Sequence, residues 1–557
     1  MAKMIGAKLL AEMVHGYGLT HAFYMPFIAP RALGYMQDLG IKVVGTHSEK
    51  AAAYMADGYA RARRAPGLCM SQSVGALNLA AGLQDAYLGQ SPVLAITGRE
   101  VHVNHAKNAY QEVDHVKPFM SVAKSSEFAA GPAELPHLLR QAFRTAVSGR
   151  PGPVHIDIEG RTGTEITMAE ADVEIEVDEL FRSVPPFRPA AGSTSIKQAV
   201  DALAQAKRPV IVAGGGVTLS GAGAELVAFA EKASIPVATA LAAKAMFPWD
   251  HPLAVGTPGS YSRECANRVL CEADIVFFIG SQTGSQVTNH YRVPPSGTPT
   301  IQLNIEAAEI GRNYPVVVGL HGDAKSTLAA MTIALERAPD RTAWLARVQE
   351  LVANWRQSIA GLAGSDEEPI RPERLCREIS DNLPENAILV SDTGHSGIWT
   401  GAYIDLKHRD QMFLRCAGSL GWGFPASLGA KCGQPERPVV CFTGDGGFWY
   451  HLTELDTARK HGINTVTVVN NNHSLNQEKS ANEKLFGGRT PQSDQFWLFP
   501  ETDFAAIAES MGCIGIVVKS PSAIPGALEQ AFAADRPVVV DVRTHLDGIA
   551  PHGWLPA

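Results

Sequence analysis

PVVCFTGDGGFWYHLTELDTARKHGINTVTVVNNN, residues 438–472, decides the fold. PVVCFT and NTVTVV are apolar on both faces, and a helical pattern lies between them. Such runs read as buried strands of a parallel sheet, whose neighbours need a crossover of about a dozen or more residues. Asp445 and Asn472 stand 27 residues apart, the length of one strand–helix–strand crossover, which puts both at the same sheet edge. In doubly wound sheets that edge, outside the carboxyl ends of the strands, is where ligands bind.

The same kind of run recurs along the chain: PVLAITG (92–98), PVIVAGGG (209–216), DIVFFIG (274–280), AILVSD (387–392) and PVVVDV (537–542), each followed by a helical pattern. Two composition shifts separate them into three blocks. One is the acidic, then proline-rich stretch from about 160 to 195 with Pro185, Pro186 and Pro189; the other is GLAGSDEEPIRP at 361–372. The expectation is an α/β fold of three consecutive doubly wound parallel-sheet domains at 1–165, 190–340 and 370–545, with a tail at 546–557. No short repeat period is visible, which argues against a solenoid.

A chain of 557 residues is long enough for three to four cores. The balance of 48 Lys+Arg against 56 Asp+Glu, net −8, gives no global positive field, which argues against nucleic acid and membrane surfaces as partners. The start, MAKMIGAKLLAEMVHGYGL, interrupts its apolar residues with Lys8, Glu12 and His15 and reads as an amphipathic helix rather than a signal peptide. The eight cysteines form no C-x-x-C pair, so buried free thiols in a reducing cytoplasm are expected.

One carboxylate, Asp445, beside amide and carbonyl oxygens suits a hard Mg²⁺ or Ca²⁺ that also holds phosphates. Gly446 and Gly447 allow backbone N–H groups to approach a diphosphate at a helix start. GDGG by itself is equally a common turn; the paired asparagines at crossover distance favour the ligand site. Elsewhere, Glu49 begins a helix-like stretch, where a carboxylate is often only dipole compensation.

GDG followed some 25–30 residues later by NN, at successive strand ends, resembles the cofactor motif of thiamine diphosphate (ThDP) enzymes. The resemblance implies that Asp445, Asn472 and a group of Ser474 ligate Mg²⁺, which bridges two phosphate oxygens of ThDP. CAGSLGWGFP (416–425) resembles the segment beneath the aminopyrimidine, with Leu420 as the apolar wedge and the Gly418 carbonyl as acceptor for the 4′-amino group. Asp392-Thr-Gly394-His395 has a counterpart that contacts the diphosphate, although a satisfied structural histidine remains the alternative for His395.

The first block matches the family pattern E-x-A-A-x-x-x-A-x-G-Y-A-R from Glu49 through Gly58, Tyr59 and Arg61. By resemblance Glu49 bonds N1′ of the pyrimidine and promotes the imino form that removes the C2 proton. That role demands a carboxyl able to hold a proton near neutrality, which an apolar surrounding favours. SQSVGALNLAAGLQDAY (71–87), with Asn78 on the cofactor side, and AYQEVDHVKPF (109–119), with Gln111 facing substrate, resemble further family segments. Because relatives build the site from the first block of one subunit and the third of another, at least a homodimer is implied, and homotetramers are common. The resemblance is strongest to the branch of acetolactate synthase, benzaldehyde lyase and 2-hydroxyacyl-CoA lyases.

Departures bear on the reaction. Tyr24-Met-Pro-Phe27-Ile28 replaces the G-x-P-G-G of acetolactate synthases, which suggests a narrower, more hydrophobic substrate pocket, with core packing of Phe27 as the alternative. Glu478 lies six positions after Asn472, where those synthases place an apolar residue; a general acid or base there competes with a solvated charge beside Lys479. The central PVIVAGGGVTLSG lacks G-x-G-x-x-G, and Gly280-Ser-Gln-Thr-Gly-Ser lacks the arginines of FAD-binding relatives, so FAD is not expected and a structural central domain is. The expected function is a ThDP- and Mg²⁺-dependent carbon–carbon lyase or carboligase, working on a small 2-oxo acid or 2-hydroxy carbonyl compound through a C2 enamine. A 2-oxo acid decarboxylase and a 2-hydroxyacyl-CoA lyase are the alternatives. A non-catalytic scaffold conflicts with the joint presence of Glu49, Asp445 and Asn472.

Overall fold

A computed structural model describes residues 2–337 and 339–556. After a short strand β1 (Ala2–Ile5), the first layer is built from β2 (His21–Tyr24), β3 (Lys42–Gly45), β4 (Gly67–Ser71), β5 (Val93–Arg99), β6 (Ser126–Ala129) and β7 (Val154–Glu159). Strand β8 (Glu170–Val173) returns to pair antiparallel with β1. The central layer contains β9 (Pro209–Ala213), β10 (Val237–Thr239), β11 (Ala254–Gly256), β12 (Ile275–Ile279), β13 (Thr300–Asn304) and β14 (Val316–His321). The third contains β15 (Ile388–Ser391), β16 (Met412–Arg415), β17 (Val439–Gly444), β18 (Val466–Asn471), β19 (Ile514–Val518) and β20 (Val538–Arg543).

Each layer is a six-stranded sheet whose strand pairs are all parallel. The fold is therefore α/β with three doubly wound parallel sheets. Inner strands such as β4, β9, β12 and β13 are buried along their whole length, because helices cover both faces. The central sheet runs β11-β10-β9-β12-β13-β14, the order of dinucleotide-binding folds. The outer two run β3-β2-β4-β5-β7-β6 and β16-β15-β17-β18-β20-β19. Numbered within its own layer, each outer sheet has the order second, first, third, fourth, sixth, fifth: one topology used twice, with no sequence repeat to betray it.

The outer layers meet through two helices, Glu49–Arg63 and Gly423–Gly433. Ser48 caps the first by accepting the Ala51 N–H at 3.1 Å, and Arg64 ends it in a left-handed conformation. Almost every residue from Ala51 to Ala62 is buried, since this helix is enclosed by both layers rather than lying on a surface. The backbones approach so closely that a Cβ on Gly58 would stand 2.0 Å from the Ala426 carbonyl oxygen, and one on Gly429 would stand 1.9 Å from that of Met55.

All eight cysteines are free thiols, seven of them buried. Among the described residues no helix is long and apolar enough to cross a membrane. The C-terminal tail straps the third layer to the central one. The Asn476 amide donates to the Leu546 carbonyl at 2.8 Å, and Lys479 pairs with Asp547. Farther along, Asn289 donates to the Gly553 carbonyl at 3.0 Å, Asn267 donates to that of Trp554 at 2.9 Å, and Arg268 stacks on the Trp554 ring.

Candidate active site

The carboxyl edge of the third sheet gathers the oxygen-rich cluster. Strand β17 delivers Asp445 as the first residue of the helix Asp445–Trp449, and β18 delivers Asn472 and Ser474 just beyond its end. The Asp445 carboxylate is 2 % exposed and accepts the N–H groups of Gly446 at 2.7 Å and Ser474 at 2.9 Å. Asn472 Oδ1 accepts the Ser474 hydroxyl at 2.8 Å. Burial pushes the Asp445 carboxyl up to about 7, against the opposing pull of backbone N–H donors. Asn470, in register with Gly444, carries a buried Oδ1 without a partner.

A buried carboxylate held only by N–H donors, among neutral amide oxygens, is a donor set that fits a hard divalent cation. Gly446 and Gly447 also have a packing role that sequence reasoning did not assign: a Cβ on Gly446 would stand 2.5 Å from Leu475 Cδ2, and one on Gly447 would stand 2.7 Å from Thr443 Oγ1.

Gly394 and His395 lie at the adjacent end of β15. Gly394 has φ 66°, and a Cβ there would come within 3.0 Å of Gln477 Oε1, so this turn abuts the segment that follows Ser474. The His395 ring is largely buried with Nδ1 unpartnered; burial, then His552, lowers it to about 4. Gly418 has φ 155° with open space where a Cβ would be, and Leu420 beside it is half-buried.

Three acidic residues hold this glycine segment in place: Asp85 and Asp57, which sequence reasoning missed, and Asp392, which it placed only beside the diphosphate. Asp85, fully buried in the first layer, accepts the N–H groups of Ala417 at 2.9 Å and of Gly418 and Ser419 at 3.1 Å, and also pairs with Arg61 at 3.0 Å. Asp57 takes a bidentate contact from Arg61 and accepts the Trp422 indole N–H at 2.9 Å. From the third layer, Asp392 accepts the N–H groups of Gly421 at 3.1 Å and Gly423 at 3.0 Å, and burial raises its carboxyl to about 6. Acidic side chains from two layers thus fix both flanks of residues 416–423.

Glu49 stands at the carboxyl edge of the first sheet, half-buried at the start of its helix. Its carboxylate accepts the Asn78 amide at 3.3 Å, and a Cβ on Gly75 would lie 2.5 Å from Oε1, so Gly75 makes room for this carboxylate. Gln111 lies on the same edge. It has φ 62°, its carbonyl accepts the Ser73 hydroxyl, and its buried side-chain Oε1 has no partner. Tyr24 is half-buried and Phe27 is 53 % exposed, whereas Ile28 is fully buried in the core of the first layer and stands behind any pocket wall rather than in it. Glu478 is exposed; it is the next residue, Lys479, that is buried and paired.

Thus the structure groups Asp445, Asn472 and Ser474 with Gly394, His395, Gly446 and Gly447, and separately groups Glu49, Asn78, Gln111 and Phe27 along the first sheet. Among the described residues no hydrogen bond joins Glu49, Gln111 or Glu478 to the Asp445 cluster.

Family models match all three layers: the N-terminal TPP binding domain of thiamine pyrophosphate enzymes at 4–117, their central domain at 196–331 and their C-terminal TPP binding domain at 392–542. A probable acetolactate synthase large subunit of Methanocaldococcus jannaschii is 35% identical, over 99% of this chain and 94% of its own length. The acetolactate synthase large subunit of Corynebacterium glutamicum is 31% identical, over 97% of this chain and 86% of its own. The glyoxylate carboligase of Escherichia coli O157:H7 is 30% identical, over 97% and 93%.

Proposed function

The chain belongs to the thiamine pyrophosphate enzyme family, in its acetolactate synthase-like branch, and from that premise we propose that it is a carboligase or carbon–carbon lyase acting on a 2-oxo acid or a 2-hydroxy carbonyl compound. It is a ThDP-dependent enzyme. The observation that carries the proposed reaction class is full-length similarity to relatives named acetolactate synthase and glyoxylate carboligase.

Bound ThDP supplies a carbon nucleophile for a carbonyl group and a sink for the electrons released when a bond to that carbon breaks. Each residue then has a definable task. Asp445, Asn472 and Ser474 would hold Mg²⁺ against the diphosphate, and Asp445 supplies the one negative charge of that set. The Gly418 carbonyl and Leu420 would position the pyrimidine; Asp85 and Asp392 hold the backbone that carries them, and Asp57 holds the Trp422 indole beside it. Glu49 would exchange a proton with the pyrimidine ring, its carboxylate kept in place by Asn78. Gln111 and Phe27 would face substrate. By resemblance to relatives that build this site from the first block of one subunit and the third of another, the proposal includes a homodimer or an assembly of dimers.

The working domains are 1–165, 190–340 and 370–545, with 546–557 as the tail. A structural role suits the central one: its crevice at the switch point beside Gly216 and Gly280 is a cavity of about 50 Å³, closed by Gln90, Pro151 and Pro185. Eight free thiols suit a reducing cytoplasm. Simple decarboxylation is the second reading, favoured by a carboxylate at Glu478, six positions after Asn472, and opposed by its exposure, which suits a solvated charge.

The test is incubation with ThDP, Mg²⁺ and, in turn, pyruvate, glyoxylate, acetoin and benzoin. CO₂ with an acyloin product, or aldehyde without CO₂ from the hydroxy ketones, supports the proposal. CO₂ with only free aldehyde from the oxo acids selects decarboxylation instead.

A further inference from the structure

At the opposite end of the catalytic strands lies a cavity of about 720 Å³ between the first and third layers. His21 and Lys42, which begin β2 and β3, line one side; Val439 and Val466, which begin β17 and β18, line the other. Lys431, His461 and Arg536 also face it, against a single lining carboxylate, Glu436. Asp535 contacts Arg536 at 3.5 Å from the exposed side. Lys431 is held by the carbonyls of Pro435 at 2.7 Å and Arg437 at 2.9 Å, which leaves its third N–H for a ligand. Thr465, only 3 % exposed, lines the same cavity with its hydroxyl unpartnered. Burial, followed by the charges of Lys42, Arg63 and His461, pushes the His21 imidazole down to about 4.

We propose that this cavity is a second small-molecule site, separate from the catalytic edge, which binds a multiply charged small anion with phosphate-ester or polycarboxylate chemistry. Three cations and a buried hydroxyl donor around a half-open cavity match such a ligand. Strands β17 and β18 are each six residues long, so the site sits roughly 20 Å from Asp445 and Asn472 along the same strands. Its other wall is continuous through β2 and β3 with Tyr24 and with the turn leading to Glu49. An occupant therefore clamps together the two layers that each carry part of the catalytic machinery, and it acts as an effector rather than a substrate.

The experiment uses protein saturated with ThDP and Mg²⁺, so that the diphosphate cradle is filled. Inorganic phosphate and tricarballylate are titrated separately by calorimetry at constant ionic strength and constant free Mg²⁺. Saturable binding of either is expected, and its identity distinguishes phosphate from carboxylate ligands. The Lys42→Ala/Arg536→Ala double variant, whose altered side chains are exposed, should bind roughly tenfold more weakly per cation removed. Lys519→Ala, outside the cavity, should bind as the parent does. Lys42→Met alone provides the same comparison if the double variant is poorly folded. Absence of saturable binding by both anions, or equal affinity in the Lys42 variants, overturns the proposal.

Discussion

Replacing Asp85 with alanine is expected to loosen residues 416–423, the segment proposed to lie beneath the cofactor, without altering Gly418 or Leu420 themselves. The carboxylate is fully buried and serves three backbone N–H groups, those of Ala417, Gly418 and Ser419, all at 2.9–3.1 Å. It also shares Arg61 with Asp57. Alanine leaves three donors unsatisfied and a buried guanidinium with one counter-charge instead of two. Breaking a buried charged network of this kind costs about 3–5 kcal/mol. Asp85→Asn retains the shape and one acceptor oxygen, so its cost should be lower, about 1–3 kcal/mol. Because residues 416–420 carry Gly418 and Leu420, ThDP affinity should fall by about tenfold or more, the usual penalty for losing a group that orients a ligand contact. Urea unfolding of the apoprotein reads the first effect, and tryptophan-fluorescence titration with ThDP at fixed Mg²⁺ reads the second. An Asp85→Ala protein that unfolds like the parent and binds ThDP equally well would refute this reasoning.

Three further outcomes are expected. Gly58→Ala should destabilise the chain by roughly 1–3 kcal/mol in denaturant unfolding, because its methyl would meet the Ala426 carbonyl and the two central helices must separate. Asp445→Asn removes a buried charge but also one of the two oxygens that accept the Gly446 and Ser474 N–H groups, so apoprotein stability should change little, while calorimetry shows Mg²⁺-dependent ThDP binding weakened by about a hundredfold or more. His21, His395 and His451 are each lowered to about 4, chiefly by burial, so the native state takes up fewer protons than the unfolded chain between pH 6.5 and 4. The stability these histidines contribute is therefore full above pH 6.5 and declines as pH falls through that window, by up to about 3 kcal/mol per histidine, opposed by Asp392 and Asp445, whose raised carboxyls take up protons in the native state. Unfolding free energies measured across it should show a shallower slope in His451→Leu.

The parallel layers were readable because β9, β12, β17 and β18 are apolar on both faces, a pattern that only a sheet covered on both sides demands. Asp445 and Asn472 were readable because one crossover length brings successive strand ends together. Asp57 and Asp85 were not, since each sits within a helical run and reads locally as a solvated charge, and Arg61 matched the family pattern without its partners being legible. Their partners, Trp422 and residues 417–419, lie more than 300 positions away. Pairings of that range follow from how two layers dock, which local pattern does not encode. The shared topology of the outer layers was hidden for a related reason, since strand order constrains only where apolar runs fall and leaves residue identities free. Phe27 and Ile28 show the limit at single-residue scale: adjacent apolar residues, one half exposed and the other fully buried, differ only in which way the chain turns after β2.

Under the proposed function, Glu49 activates ThDP held at the Asp445 cluster. Glu49→Gln tests it most directly, by measuring ThDP affinity and turnover on the same preparation. ThDP and Mg²⁺ binding should stay close to the parent value, with turnover reduced by about a hundredfold or more on every accepted substrate. Parent-level turnover in that variant would contradict it.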